Sequence, residues 1–198
     1  EMGGIGFFLG GIGPDGHIAF NVRGSSTYSA TRLTGTNYET QAAAASDLGG
    51  IEISRSRLVI TIGLATITFN PTATAIVIAA GDAKAEIVRQ AIEEPSNPQF
   101  PATTLQDLDN ARFYLTSGAA SRLTERTFIQ FCNNPTLDDQ HIDDVVMSLS
   151  IARNKAIEEL TKEDFETDRL AKELLRKTGK SFEECSSDVR SRLVQKLE

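Results

Sequence analysis

Residues 58–81 constrain the fold most strongly, because they carry no charged side chain. A run of this length suits either a membrane-spanning helix or buried strands of a sheet. It contains five threonines and is interrupted by Asn70-Pro71. β-branched residues favour strands, and proline ends regular structure. We therefore expect two buried strands, at 58–62 and 74–80, and no membrane association.

Further elements are expected on both sides of this run. Residues 5–9 resemble a buried strand that leads into a Gly-rich loop, and 111–116 resemble the last strand. Residues 38–48 are expected to form a helix ending at Gly49-Gly50, and 83–94 an amphipathic helix. Alternating strands and helices imply parallel pairing. The predicted fold class is α/β, with a mostly parallel, Rossmann-like open sheet that is incomplete at its N-terminal side.

Charge density changes near residue 120. Residues 1–120 include 18 charged side chains, whereas the 78 residues of 121–198 include 29. Buried parallel sheets favour apolar sequence, and solvated helices carry charge. We predict an α/β domain over 1–120 and a C-terminal α-helical extension or connector over 121–198.

The extension shows two kinds of helix signal, which together suit three helices. Thr161 with Asp164, and Ser181 with Glu184, each have the spacing of a capping box. Apolar residues at helical spacing are Ile142, Val145, Val146, Leu149, Ala152, Ala156 and Leu160.

Composition excludes several classes of function. A net charge of −7 without a basic stripe argues against nucleic acid as a partner. Cys132 and Cys185 are too few for a disulfide framework, and two histidines without a CxxC pair argue against a metal site. These features favour a cytoplasmic protein. The chain starts at Glu1 without a signal-peptide pattern, and we expect it to be a fragment of a longer protein.

Residues 11–16, Gly-Ile-Gly-Pro-Asp-Gly, match the dinucleotide pattern G-x-G-x-x-G. The match lacks the helix that should follow it, and Pro14 has no N–H for a phosphate cradle. An acid–base site explains the loop better. Asp15 and His17 follow a strand at spacing i, i+2, which in extended chain directs both side chains the same way. In the simpler alternative, Asp15 caps a turn and His17 only packs.

The neighbouring sequence carries a family resemblance. Residues 8–21, FLGGIGPDGHIAFN, resemble the signature of the glucosamine-6-phosphate deaminases. Supporting motifs, in the same order as in that family, are Ser25-Ser26, Thr31 to Thr34, Ile60 to Gly63, and Ile76 to Ala85. The related 6-phosphogluconolactonases share Gly-Pro-Asp-Gly-His but continue differently. The resemblance covers roughly residues 3–118.

The resemblance implies conversion of glucosamine 6-phosphate and water to fructose 6-phosphate and ammonia, without a cofactor. His17 would handle protons during opening of the sugar ring, and Asp15 would orient it and stabilise its charge. Lys84 would bind the phosphate, although an ordinary exposed helix lysine is the simpler alternative. Gly11 and Gly13 would let the substrate approach the backbone. The implied partner is a small sugar phosphate. By analogy, the chain would form a homo-oligomer and continue into a further domain beyond residue 198.

Three departures from the family pattern lead us to expect impaired catalysis. Val22 stands where the family has a glutamate that supports the histidine, and the position of a phosphate-binding arginine falls near Ala43. Arg23 is a substitute for that charge if it reaches the site. The family's first half, with the aspartate that abstracts the carbon-bound proton, has no counterpart in the sequence. Two alternatives stay open: a hydrolase resembling 6-phosphogluconolactonase, and a non-catalytic sugar-phosphate-binding module.

Overall fold

A computed structural model describes residues 3–47 and 49–196. The chain forms two compact units that divide between Thr124 and Glu125. The strands of the first unit are β1 (Phe7–Gly11), β2 (Arg32–Thr34), β3 (Val59–Thr61), β4 (Thr74–Ala79) and β5 (Ala111–Leu115). Its helices are α1 (Tyr38–Ala43), α2 (Ile51–Ser56), α3 (Leu64–Thr68) and α4 (Ala85–Glu93), with 3₁₀ turns at Asp82–Lys84 and Pro101–Asp107.

The first unit has the predicted α/β fold, with a small parallel sheet in the order β1-β4-β5. In this sheet, Gly11 of β1 pairs with Ile78 of β4, and Ile78 pairs with Tyr114 of β5. The expected place of β3 in the parallel sheet is wrong. β3 instead pairs antiparallel with β2 in a separate two-stranded sheet, because β2 supplies a nearby partner that the sequence pattern did not reveal.

The parallel sheet buries one face. Val77 and Ala79 of β4 pack with Ile87 and Val88 of α4, so the apolar stripe predicted for this helix is confirmed. The 3₁₀ turn at Asp82–Lys84 replaces its predicted first residues.

The predicted burial of the first strand is wrong. Phe7 and Leu9 are each 57% exposed. Ile78 of the central strand β4 and Tyr114 of β5 lie on the same face of the sheet and are exposed as well, so this whole face is open. A continuous apolar strand is typical of a sheet covered on both faces, and β1 has such a sequence although one face of its sheet is open, so the pattern alone misled the prediction.

The uncharged run of residues 58–81 forms β3, α3 and β4. Both predicted strands are present, and α3 was missed because a helix of five residues is too short to show a period of 3.6. Across residues 3–47 and 49–196, no helix is long and apolar enough to span a membrane.

The helix predicted over 38–48 is shorter than expected. It ends at Ala43, and a second helix, α2, begins after Gly50, which is its N-cap at φ 107°. Such a φ favours glycine, so this glycine begins a helix rather than ending one. Leu48 lies outside the described residues.

The second unit is helical, with more helices than the three predicted. Its elements are α5 (Thr124–Asn133), α6 (Asp139–Arg153), α7 (Lys162–Thr167), α8 (Arg169–Thr178), α9 (Phe182–Gln195) and a 3₁₀ turn at Ile157–Glu159. Asn154 ends α6 in the left-handed conformation, so the expected helical run through Ala156 and Leu160 is wrong. Both capping boxes, at Thr161 and Ser181, are confirmed.

Candidate active site

The loop after β1 brings Asp15 and His17 together. The backbone N–H of Gly13 donates to the carbonyl of His17 (3.0 Å), and that of Gly16 donates to the carbonyl of Gly13 (3.1 Å). These bonds close a tight turn, with Gly16 at φ 79°. The expectation of an extended segment is therefore wrong, although the two side chains do meet at the carboxyl end of a parallel strand.

The two side chains form a close hydrogen-bonded pair. His17 Nδ1 lies 2.5 Å from Asp15 Oδ1, and the side chains of His17 and Asp15 are only 13% and 1% exposed. An ionised carboxylate can only accept, so Nδ1 carries the shared proton. In that tautomer the other nitrogen, Nε2, carries the lone pair that can accept a proton.

The second oxygen of Asp15 is bound from a different part of the chain. Asn37 Nδ2 donates to Asp15 Oδ2 (2.6 Å), and the backbone N–H of Arg23 lies at 3.5 Å. Burial alone would raise the pKa of Asp15, but the hydrogen bonds from His17 and Asn37 outweigh it and hold that pKa well below its usual range. Asp15 is therefore a carboxylate at neutral pH.

Lys84 lies at the same loop, although it comes much later in the chain. Its Nζ donates to the carbonyl of Ile12 (2.8 Å). Burial lowers the pKa of Lys84, and the charge of Asp15 partly opposes this shift. An ammonium group therefore lies within the electrostatic reach of the His17–Asp15 pair.

Gly11 and Gly13 differ in the space that a side chain would have at each position. A Cβ at Gly13 would overlap the imidazole ring of His17, so this position has to be glycine for the ring to lie where it does. A Cβ at Gly11 would meet only the carbonyl oxygen of Ile78, at an ordinary 3.8 Å. Both residues, with His17 and Ala19, line an open cavity of about 320 Å³.

Two residues that contact the pair were missed by the sequence analysis. Asn37 is the N-cap of α1, where its Oδ1 accepts from the backbone N–H of Thr40 (3.1 Å). The Thr40 hydroxyl lies 3.2 Å from His17 Nδ1 and is buried. An asparagine before a helix does signal an N-cap, but nothing in the sequence connects that cap to Asp15.

The residues that depart from the family pattern bring no replacement groups to the pair. Val22 is half-buried and has no polar atoms in its side chain, and Ala43 is exposed on α1. The guanidinium of Arg23 lies over the ring of Phe100, 5.5 Å from its centroid.

Other motif residues hold the loop in place. Asn21 is fully buried, and its Nδ2 donates to the carbonyls of Ile18 (3.0 Å) and Ile62 (2.7 Å). Arg32 donates to Asn21 Oδ1 (2.8 Å) and to the hydroxyl of Ser25 (3.1 Å). These bonds tie the end of the loop to β2 and to the segment after β3.

Among the described residues, no three His, Cys, Asp or Glu side chains cluster closely enough to hold a metal ion. The chemistry that the loop offers is that of an imidazole–carboxylate pair with a neighbouring ammonium group, at the carboxyl end of a parallel strand. Such an arrangement suits proton transfer to and from an anionic ligand.

Known enzymes of one family are similar to part of this chain. No protein-family model matches the chain. The chain is 39% identical, over 126 residues, to a glucosamine-6-phosphate deaminase from Rhodopirellula baltica, covering 64% of the chain and 49% of that protein. It is 34% identical, over 131 residues, to human glucosamine-6-phosphate deaminase 2, covering 66% of the chain and 47% of that protein.

One solved structure of such an enzyme has a similar fold. A monomeric glucosamine-6-phosphate deaminase superposes with a TM-score of 0.53 at 32% identity, covering 59% of this chain and 47% of that one. The fold and the loop define an α/β domain with an imidazole–carboxylate pair at the carboxyl end of a parallel strand. The chain belongs to the glucosamine-6-phosphate deaminase superfamily, and it spans about half the length of the curated relatives it matches.

Proposed function

We propose that the first unit carries the acid–base and phosphate-binding part of a glucosamine-6-phosphate deaminase site. In the reaction, glucosamine 6-phosphate and water give fructose 6-phosphate and ammonia. The observation that carries the proposal is the bond between His17 Nδ1 and Asp15 Oδ1, in a loop whose Ile12 carbonyl accepts a hydrogen bond from the ammonium group of Lys84.

Each residue would have a separate task. His17 Nε2 would exchange a proton with the sugar while the ring opens, since an imidazole can both take and give a proton near neutral pH. Asp15 would keep the imidazole in one tautomer and stabilise it when it is charged. Lys84 would bind the phosphate, and the negative ligand would favour its charged form against the effect of burial.

Catalysis by this chain alone would be weak. Val22 supplies no carboxylate to support the histidine, and Ala43 supplies no cation. Proton transfer by one positioned group typically contributes ~10²–10⁴-fold in rate. These two positions also favour a second candidate function, a module that binds sugar phosphate without turnover.

Binding and turnover are to be measured separately on the purified chain. We expect calorimetry to detect glucosamine 6-phosphate but not glucosamine, and Lys84→Met to weaken binding by about 10- to 100-fold, as for the loss of a charge-assisted hydrogen bond. Lys172→Met, at an exposed lysine of α8, is the matched control. Equal affinity of the Lys84 and Lys172 variants would contradict the phosphate site.

An ammonia-release assay on glucosamine 6-phosphate tests the catalytic part. We expect a low rate that His17→Gln abolishes while binding persists, and a gain in rate for Val22→Glu. Robust turnover by the unaltered chain would show that the departures do not impair it. Binding without any ammonia release would favour the module without turnover.

A further inference from the structure

The His17–Asp15 pair is held by α1, a helix that begins about twenty residues further along the chain. Asp15 uses both carboxylate oxygens: Oδ1 for His17 and Oδ2 for the amide of Asn37 (2.6 Å). The carboxylate plane is therefore fixed from two sides. Thr40, one turn further along the same helix, places its hydroxyl 3.2 Å from His17 Nδ1.

The side chain of Asn37 forms hydrogen bonds both to the first turn of α1 and to Asp15. Its Oδ1 accepts from the backbone N–H of Thr40 and so caps α1, while its Nδ2 donates to Asp15. A single side chain thus links the first turn of the helix to the buried carboxylate. The Thr40 side chain lies against the imidazole that this carboxylate orients, so the contacts close a ring of four residues.

From these contacts we infer that Asn37 and Thr40 are positioning residues, which hold His17 in the tautomer with its proton on Nδ1. These neutral groups at the start of α1 would position the histidine, but they do not supply the negative charge that a glutamate at Val22 would add. This inference rests on the proposed function for its purpose, but its test needs no ligand and no turnover.

The donor role and the capping role of Asn37 can be separated. Serine is as good an N-cap as asparagine, but its hydroxyl is too short to reach Asp15 Oδ2 from the same backbone position. Asn37→Ser therefore keeps the cap and loses the donor, whereas Asn37→Ala loses both. Asn70→Ser is the matched control, since the Oδ1 of Asn70 accepts from the backbone N–H of Thr72 in a turn of the same unit.

Nitrogen NMR of the imidazoles provides the measurement. The chain has two histidines, so a His141→Gln background leaves the signals of His17 alone. We expect a single tautomer, protonated at Nδ1, in this background and in its Asn70→Ser variant. We expect a mixture of tautomers, and about tenfold faster exchange of the Nδ1 proton, in Asn37→Ser, Asn37→Ala and Thr40→Val. The fold-change corresponds to losing one hydrogen bond in a charged network.

A second readout follows the carboxylate itself. The charged or titratable groups that act on Asp15 are His17 and Lys84, and neither is altered by the Asn37 variants. We expect Asn37→Ser to raise the pKa of Asp15 towards its ordinary value, as seen in the carboxyl carbon signal during an acid titration. If Asn37→Ser leaves both the tautomer and this titration unchanged, Asn37 is only a helix cap and the inference is wrong. Absence of sugar-phosphate binding would instead contradict the proposed function alone.

Discussion

Each unit of the molecule contains one histidine whose Nδ1 lies 2.5 Å from an aspartate Oδ1. In the first unit the pair is His17 with Asp15, and in the second it is His141 with Asp138. The distances are the same, but the exposures differ: the Asp15 side chain is 1% exposed and the Asp138 side chain 66%. The chemistry of a pair is thus decided by what surrounds it.

The surroundings assign the two pairs different tasks. Asp138 is the N-cap of α6 and accepts from the backbone N–H of His141 (2.9 Å), so its pair belongs to a helix start. His141 Nε2 is also occupied, since the amide of Asn134 lies at 3.1 Å. His17 instead lines a cavity, and its partner carboxylate is bound by two parts of the chain.

The largest effect is expected from a substitution that displaces His17 from Asp15 and leaves the His141–Asp138 pair intact. Gly13→Ala would place a methyl group where the His17 ring lies. We expect the free energy of unfolding of the first unit to fall by about 3 kcal/mol, as for overpacking in a close-packed region. All three tyrosines, Tyr28, Tyr38 and Tyr114, lie in this unit, so tyrosine fluorescence during urea unfolding reports on it directly.

Gly6→Ala provides the control for this variant, because a Cβ there has no neighbour within 4 Å. The imidazole signals of His141 should be unchanged in both variants. Equal stability of the Gly13 and Gly6 variants would mean that the imidazole does not pack on Gly13.

The next effect concerns acid stability. Hydrogen bonds lower the pKa of Asp15 in the folded state. Its contribution to stability is therefore fully present above the unfolded value of about 3.9 and is lost as the pH falls from there towards the folded pKa. We expect Asp15→Asn to cost about 2 kcal/mol at pH 7, the range for hydrogen bonds to a charged group, and the difference from the unaltered chain to shrink below pH 4.

Asp138→Asn sharpens the comparison. The pKa of Asp138 is also lowered, chiefly by the backbone N–H of His141, but the group is exposed, and asparagine is an equally good N-cap. We expect a much smaller change than for Asp15→Asn, measured by the helical circular dichroism signal during urea unfolding from pH 2 to 7. Similar acid profiles for the two variants would remove the distinction between the pairs.

Helices and strands were predictable where the pattern of apolar residues extends over enough residues to be recognised. Residues 85–93 show a complete apolar stripe, and β4 is a continuous apolar strand, so both were found. β2 and β3 have three residues each, which is too short to show which sheet a strand joins. The exposure of β1 depends on whether another layer covers that face of the sheet, and a single strand's sequence does not carry that information.

The site was predictable only as far as its local motif. Asp15 and His17 are two residues apart, and their types alone indicate acid–base chemistry. Asn37 and Thr40 reach the pair through the path of the chain between β1 and α1, which no local pattern encodes. Gly13 was found, but its reason is steric: the imidazole ring occupies the space of its missing side chain.

The smallest expected effect compares the two non-glycine residues that have positive φ within residues 3–47 and 49–196. Ala19, in the turn of residues 18–21 beside the candidate site, has φ 53°, and Asn154, after α6, has φ 52°. For alanine this left-handed conformation costs roughly 1–2 kcal/mol, whereas asparagine adopts it readily. Glycine removes that cost but loses roughly 0.5–1 kcal/mol through the greater freedom of the unfolded chain.

We expect Ala19→Gly to stabilise the first unit by about 0.5 kcal/mol and Asn154→Gly to leave the second unit nearly unchanged. Urea unfolding followed by tyrosine fluorescence and by circular dichroism measures the two units in turn. Destabilisation by Ala19→Gly would show that the turn beside His17 is not under backbone strain, and that the two units do not differ in this respect.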